Sequence, residues 1–195
     1  MKPKARLDAI VVGASAGAIE ALSVILPTLP KGFSAALIVV VHIPSDRASK
    51  LAELFQARCQ VIVKEAEDKE PIEAGTVYFA PPDYHLLVNS DRRLSLSSEE
   101  PVLFSRPSID VLFESAADAF GENLAGIILS GANSDGAAGL RNVCDSGGIA
   151  IVQTPDTAYA GTMPQAAKDA CPEASLLDLN RISSAIQVLA LQGAR

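Results

Sequence analysis

The serine at position 15 stands in a short sequence of the type that presents nucleophilic side chains. It lies in the pentapeptide Gly13-Ala14-Ser15-Ala16-Gly17, which follows the apolar run AIVV and precedes AIEAL, a segment of helical period. A strand, a sharp turn of small residues and a helix form the context that a G-x-S-x-G nucleophile elbow requires. The amides at the start of the helix, with Ala16 first, would face any negative charge developing beside the serine. The pattern therefore indicates nucleophilic chemistry at Ser15.

Two other interpretations of this turn stay open. A glycine-rich turn before a helix can also hold a phosphate, but a dinucleotide fingerprint would need glycines where Ser15 and Ala18 stand. It would also need an acidic residue after the second strand, where the chain has His42. The remaining interpretation is a tight turn whose serine only caps the helix.

A serine hydroxyl needs a neighbouring base to attack at neutral pH. The chain has two histidines. His42 follows the run LIVVV, at the carboxyl end of the second predicted strand and beside the first. His85 lies after a PPD turn, with no evident relation to Ser15. His42 is the candidate base, and a purely structural histidine is the alternative.

A third group should hold the imidazole in the correct tautomer. Asp135 is the best placed carboxylate, because it follows the apolar strand and small-residue turn LAGIILSGANS and precedes a helix. Loops at the carboxyl ends of parallel strands gather into one crevice, where Asp135 could meet the serine and the histidine. The alternative is that Asp135 has no catalytic part, because an aspartate in the first turn of a helix is often there only for its favourable interaction with the helix dipole. Asp110, inside a predicted helix, and Asp156, in the loop TPDTAYAGT, are rival candidates.

The elements that must position these residues alternate along the chain. Six apolar runs rich in Val and Ile are predicted strands, and their two apolar faces are typical of parallel strands covered by helices on both sides; they are residues 7–13, 36–41, 61–65, 123–129, 149–152 and 175–179. Segments of helical period begin near Ala18, Ala48, Ser108, Asp135, Met163 and Arg181. Ser108 is the predicted cap of its helix, which Gly121 ends.

Residues 76–98 break this alternation. They contain three short extended segments joined by PPD and NSD turns, which indicates a small antiparallel β patch at a sheet edge. We therefore expect one doubly wound α/β domain over residues 1–195, with a mostly parallel sheet and helices on both faces.

Composition excludes several classes of function. The chain of 195 residues is 49% apolar and carries a net charge of −7, which argues against binding a nucleic-acid backbone. Its longest apolar run, AALIVVV, is too short to cross a bilayer, and Asp8 interrupts the segment that resembles a signal peptide. The three cysteines are far apart and odd in number, so we expect reduced thiols in a cytoplasmic protein and no metal site.

The segments that carry the candidate residues resemble the catalytic domain of the chemotaxis protein-glutamate methylesterases, the CheB family. The resemblance extends from about Asp8 to about Leu179, nearly the whole chain. It depends on six segments, in the order VVGASAGAIEAL, VVHIP, VKEAEDKEPIEAGTVYFAPPDYHLLV, SRPSIDVLFESAA, GIILSGANSDGAAGL and TMPQAA. Together they are far more specific than the elbow pentapeptide.

The resemblance implies a cytoplasmic serine hydrolase of signal transduction. Such an enzyme removes methyl esters from glutamate side chains on the cytoplasmic helices of chemoreceptors and deamidates receptor glutamines, without a metal or organic cofactor. It implies a Ser-His-Asp triad of Ser15, His42 and Asp135. The amides of Ala16 and Ala132 would form the oxyanion hole. The implied partners are methylated chemoreceptors and a separate response regulator or histidine kinase, with no nucleic acid and no membrane insertion.

The resemblance also implies that the loop around Arg106-Pro107-Ser108 borders the active site, with Arg106 as a substrate contact. Typical members carry a receiver domain in front of the esterase. Because the first predicted strand begins near residue 7, we expect this chain to lack one. It would then be constitutively active, regulated by a separate protein, or one module of a system of several chains.

The chain departs from the family pattern in its loops. It has Gly131-Ala132-Asn133 where the family usually has Gly-Met-Gly, and Ala18 and Thr162 each replace a usual glycine. A main-chain donor survives the change from Met to Ala, but the loop loses a side chain that fills irregular gaps. A second hypothesis is therefore a catalytically weakened module that binds receptors or signalling partners. A third, nucleotide binding, lacks both the acidic ribose partner and a Walker lysine.

Overall fold

Seven parallel strands form one sheet in the computed structural model, which describes residues 7–42 and 49–191. The strands in chain order are β1 Ala9–Ala14, β2 Ala36–Val41, β3 Ile62–Glu65, β4 Thr76–Phe79, β5 His85–Val88, β6 Leu94–Ser97, β7 Leu124–Ile128, β8 Ile149–Gln153 and β9 Ser175–Leu177. The large sheet has the order β3-β4-β2-β1-β7-β8-β9, and β5 and β6 form a separate antiparallel pair. The central strand β1 is buried along its whole length, as its unbroken apolar sequence requires.

Helices cover both faces of this sheet. They are α1 Ala18–Ile25, α2 Leu51–Gln56, α3 Ile109–Phe120, α4 Ala137–Asp145, α5 Thr162–Ala170 and α6 Leu179–Leu191, with short 3₁₀ turns at Leu26–Thr28, Gly121–Asn123 and Pro155–Thr157. The core on one face is shared with α1, α2 and α6. The core on the other is shared with α3, α4, α5 and the β5–β6 pair. This arrangement confirms the predicted doubly wound fold. Within the described ranges, no helix combines the length and apolar character needed to cross a bilayer.

The antiparallel patch is smaller than residues 76–98. Its first predicted segment is β4, which pairs in parallel with both β2 and β3 inside the main sheet. The reason is burial, since all four residues of TVYF are buried and an interior strand needs two apolar faces. The other two segments form the antiparallel pair β5–β6.

Helix starts agree with the sequence to within a few residues. The start predicted near Ala48 lies outside the described residues, and α2 begins at Leu51. The helix predicted near Asp135 begins at Ala137. The last predicted strand ends at Leu177, because α6 begins two residues later.

The expectation of three reduced cysteines is wrong in this structure. Cys144 and Cys171 form a disulfide, with sulfurs 1.99 Å apart, whereas Cys59 is free. The two bonded residues lie at the ends of α4 and α5, which pack against each other. Their separation of 27 residues in sequence gave no sign of this proximity.

The register of the central strands brings three loops to one edge of the sheet. Ala14, the last residue of β1, is paired with Val41, the last residue of β2. On the other side of β1, Gly13 is paired with Ile128, the last residue of β7. The residues that follow these strands therefore meet at the carboxyl end of the sheet, where parallel α/β proteins bind ligands.

Candidate active site

Ser15 occupies the sharp turn between β1 and α1. Its amide donates to the carbonyl of Ser130 at 2.9 Å, which ties the turn to the end of the neighbouring strand. Gly17 precedes the helix with a φ of 81°, a left-handed conformation that favours glycine. A Cβ atom at this position would also lie 2.6 Å from Cβ of Tyr159. The turn therefore needs glycine here for its conformation and for close packing, as a nucleophile elbow does.

His42 lies directly beside this turn. Its amide donates to the carbonyl of Ala14 at 3.2 Å, so it continues the pairing of β2 with β1. Its ring is 13% exposed, and Nε2 lies 2.7 Å from Oδ2 of Asp135. Since an ionised carboxylate only accepts hydrogen bonds, Nε2 carries the proton and Nδ1 is the nitrogen left to accept one. Within the described residues no hydrogen bond joins the Ser15 hydroxyl to this ring. The two residues are nevertheless neighbours, because they directly follow Ala14 and Val41, which are paired between β1 and β2.

Asp135 is completely buried and accepts four hydrogen bonds. Besides His42, the donors are the Ser108 hydroxyl at 2.8 Å and the amides of Ile109 at 2.7 Å and Asp110 at 3.0 Å. Asp135 thus caps the N-terminus of α3. Ser108 is the N-cap residue, as predicted, but its hydroxyl donates to the carboxylate of Asp135 instead of accepting a bond from the helix.

These contacts determine the charge of Asp135. Burial by itself raises the pKa of this carboxyl. The hydrogen bond from His42 and the amides of Asp110 and Ile109 outweigh burial, so the pKa lies below its ordinary value. Asp135 is therefore ionised at neutral pH and can stabilise a protonated imidazole.

Asp110, the first rival candidate, points to a different helix. Its Oδ1 accepts the amides of Gly136 at 2.9 Å and Gly139 at 2.7 Å, so it caps α4 while Asp135 caps α3. Burial, together with the nearby charge of Asp135, raises the pKa of Asp110 to about 6 despite the lowering effect of the two amides. Asp156, the second rival, is exposed in the 3₁₀ turn Pro155–Thr157.

Ser130 is a site residue that sequence reasoning missed. It is buried, its hydroxyl donates to the carbonyl of Ala16 at 2.6 Å, and the amide of Ala160 donates to it at 2.9 Å. Together with the bond from Ser15, these contacts hold the elbow between β7 and the loop before α5. The available signal was a polar residue directly after an apolar strand, which is also the signal that marked His42.

His85 was also missed as part of the site. It is buried, its Nδ1 accepts the amide of Ser108 at 3.1 Å, and its Nε2 donates to the carbonyl of Glu100 at 3.0 Å. His85 therefore supports the residue that donates to Asp135. No local pattern could have indicated this, because β5 and the start of α3 meet only in the folded chain.

Two loops present main-chain donors near the candidate nucleophile. Ala16 lies in the elbow and Ala132 in the loop between β7 and α4, and Ala132 is exposed. In the described parts of the chain, neither amide is paired with a protein acceptor. Donors of this kind can receive the charge of an oxyanion.

Arg106 holds its own loop together. Its Nε and Nη2 donate to Oδ1 of Asp83 at 3.1 and 2.7 Å, and its Nη1 donates to the carbonyls of Ser98 and Glu99 at 2.9 and 3.0 Å. These bonds connect the segment before α3 to the residues that precede β5 and to those that follow β6. A substrate contact by Arg106 stays a prediction, and it would have to coexist with this structural role.

Comparison with known proteins agrees with the fold. The CheB methylesterase family model matches residues 10–186. The crystal structure of the Thermotoga maritima CheB methylesterase catalytic domain superposes with a TM-score of 0.89 at 30% identity, over 95% of this chain and 100% of that one. A candidate protein-glutamate methylesterase/protein-glutamine glutaminase of Leptospira interrogans is 47% identical over 90% of this chain and 91% of its own length. The Archaeoglobus fulgidus protein-glutamate methylesterase/protein-glutamine glutaminase is 38% identical over 85% of this chain, and the match covers 48% of that relative.

The fold and these relatives together define a carboxylic ester hydrolase built on an open parallel sheet. Within that class, the chain belongs to the CheB methylesterase family. The resemblance read from the six sequence segments is therefore confirmed.

Proposed function

We propose that the protein removes methyl esters from glutamate side chains of chemoreceptors, and deamidates receptor glutamines, through a triad of Ser15, His42 and Asp135. The observation that carries this proposal is the 2.7 Å contact between His42 and Asp135, beside the turn that presents Ser15. A serine, an imidazole and a buried carboxylate at adjoining strand ends are the components of a serine hydrolase.

The proposed reaction begins with attack of the Ser15 hydroxyl on the ester carbonyl. Nδ1 of His42 takes the hydroxyl proton, and the ionised Asp135 stabilises the imidazolium through Nε2. The amides of Ala16 and Ala132 stabilise the oxyanion, and removal of one such donor typically costs about 10²–10³ in turnover.

Collapse of this intermediate breaks the bond to the leaving group. His42 returns its proton to the departing methoxy oxygen, so methanol leaves and a glutamyl ester of Ser15 remains. Water then adds to that ester while His42 takes one of its protons, and the released Ser15 regains a proton from the ring. With a glutamine substrate, ammonia leaves in the first half and the same ester is hydrolysed.

The proposed substrates define the proposed partners and place. The methylated cytoplasmic helices of chemoreceptors are the substrates, so the enzyme acts in the cytoplasm. A separate response regulator or histidine kinase is the proposed source of regulation. The output can be chemotaxis or another process that such receptors govern.

Labelling with a fluorophosphonate, together with methanol release from membranes carrying methyl-labelled receptors, tests the proposal. Wild type should be labelled and release methanol, whereas Ser15→Ala should do neither and His42→Ala should be labelled far more slowly. Ser184→Ala is the matched control, because Ser184 is an exposed serine on α6 and its loss should change neither assay. Labelling of Ser15→Ala equal to that of wild type would refute the proposed nucleophile, and receptor binding without methanol release would favour a binding module.

A further inference from the structure

A two-residue turn before α3 presents bulky apolar side chains to solvent. Val102 and Ser105 form an antiparallel bridge, with the amide of each donating to the carbonyl of the other at 3.1 and 2.8 Å. Between them stand Leu103 and Phe104. Leu103 is half exposed and Phe104 is fully exposed. We call residues 102–105 the apolar tip.

The backbone of the apolar tip is unfavourable for the residues that it contains. Leu103 has a φ of 48° and Phe104 a φ of 64°. Positive φ at both central positions defines a type I′ turn, for which Asn-Gly is the preferred sequence. For bulky residues this conformation is strained, and strain of this kind accumulates at functional sites. Neither folding nor solubility explains two apolar side chains at these positions.

The base of the apolar tip is held firmly and leads directly to the proposed triad. Arg106 binds the carbonyls of Ser98 and Glu99, and His85 binds that of Glu100, so the segments on both sides are anchored. Three residues after the tip, Ser108 donates to Asp135. The tip therefore projects from a loop that is hydrogen-bonded on both sides and lies next to Ser108 and the site.

A second exposed aromatic side chain flanks the site on another loop. Tyr159 is largely exposed, and its Cβ packs against the elbow at Gly17. Apolar side chains around a site that must receive one ester suit a protein substrate, since exposed apolar groups near a cleft mark protein contacts. An amphipathic helix, with its ester-bearing residue toward Ser15 and apolar residues toward the loops, matches this arrangement.

We propose that Leu103 and Phe104 form a docking contact for the apolar face of the substrate helix. This inference rests on the proposed function, and it assigns to the apolar tip the recognition of a protein helix rather than any part in the chemistry. Aromatic anchors in protein interfaces typically account for much of the affinity.

The test replaces both tip residues together, as Leu103→Asn with Phe104→Gly. This pair suits a type I′ turn, so the melting temperature should stay the same or rise by a few degrees. The value of kcat/KM for methanol release from receptor membranes should fall by roughly 10- to 100-fold, mainly through KM. Hydrolysis of p-nitrophenyl acetate should stay within about twofold of wild type, because a small ester does not reach the tip.

Two further variants serve as controls. Phe104→Leu keeps an apolar side chain and should retain most of the activity on receptor membranes. Val188→Ser removes another exposed apolar side chain, on α6, and should change nothing in these assays.

Co-sedimentation with receptor membranes separates the two proposals. If wild type hydrolyses neither substrate but binds the membranes in a tip-dependent way, the proposed function fails and the docking contact stands. If the double variant binds and turns over receptor as wild type does, or if it changes only self-association in sedimentation velocity, the docking contact is overturned. A melting temperature lowered by several degrees would also overturn it, since the tip would then serve folding.

Discussion

Asp110 and Asp135 should respond in opposite ways to replacement by asparagine. Each carboxylate caps the helix that begins beside the other, Asp135 at α3 and Asp110 at α4. Their surroundings differ, because four donors surround Asp135, whereas Asp110 accepts two amides and faces the charge of its neighbour. One site therefore favours the ionised carboxylate and the other disfavours it.

For Asp110 the size of the effect follows from its pKa of about 6, compared with an ordinary value of 3.8. Because one pKa unit corresponds to about 1.4 kcal/mol, ionised Asp110 costs the folded protein at most about 3 kcal/mol, and less where solvent screens its charge. Between pH 3.8 and about 6 the folded chain holds a proton on Asp110 that the unfolded chain has released, so the contribution of Asp110 to stability falls as pH rises. Asp110→Asn keeps an oxygen for both amides and loses this slope. It should be more stable than wild type by up to about 3 kcal/mol above pH 7, and by less near pH 4.

Asp135→Asn should have the reverse effect. The lowered pKa of Asp135 contributes stability that is present above the ordinary value of 3.8 and is lost as pH falls through the folded value. An amide nitrogen in place of either oxygen would face two donors and leave them without an acceptor. We expect a loss of about 1–3 kcal/mol at pH 7, and a fall in ester hydrolysis of about 10⁴, as for loss of the corresponding carboxylate in serine proteases.

Urea denaturation followed by far-UV circular dichroism, at several pH values from 4 to 8, measures both effects. Asp118→Asn removes an exposed negative charge from α3 and controls for net charge. If Asp110→Asn is less stable than wild type at pH 8, or if its advantage does not grow between pH 4 and 7, the account of a destabilised buried charge is wrong. A change in the urea m-value would instead show that a variant had altered the extent of unfolding.

Three further variants examine the support of the site. Ser130→Ala removes the hydrogen bonds to Ala16 and Ala160, so stability in urea should fall by about 1–3 kcal/mol and kcat for a small ester by roughly tenfold. An unchanged kcat would show that the elbow keeps its shape without these hydrogen bonds. His85→Phe leaves the amide of Ser108 unpaired, so stability in urea should fall by about 1–3 kcal/mol. For a small ester, kcat should fall with little change in KM, and unchanged kinetics would show that His85 has no positioning role. Arg106→Ala should lower the melting temperature by about 2–4 °C if the hydrogen bonds of Arg106 to its loop contribute about 1 kcal/mol. A raised KM for receptor membranes with an unchanged melting temperature would favour a substrate contact instead.

The fold was predictable because its signals are local. Unbroken Val- and Ile-rich runs such as Ala36–Val41 indicate strands buried on both faces, and the helices between them follow from apolar periodicity. The position of β4 was not predictable in the same way. Its four residues fit an edge or an interior strand equally well, and only the packing of β2 and β3 on its two sides decides between them.

The candidate site, like the fold, was predictable from the sequence only in part. Ser15, His42 and Asp135 were proposed from the sequence, because each follows an apolar strand and the strands of a parallel sheet end at one edge. The sequence alone thus determined which side chains are brought to that edge. Only the tertiary structure decided what supports them, since the contacts of Ser108 with Asp135 and of His85 with Ser108 join residues 27 and 23 positions apart. Such contacts leave no trace in local periodicity, and they exist only because α3, α4 and the β5–β6 pair pack together at that edge.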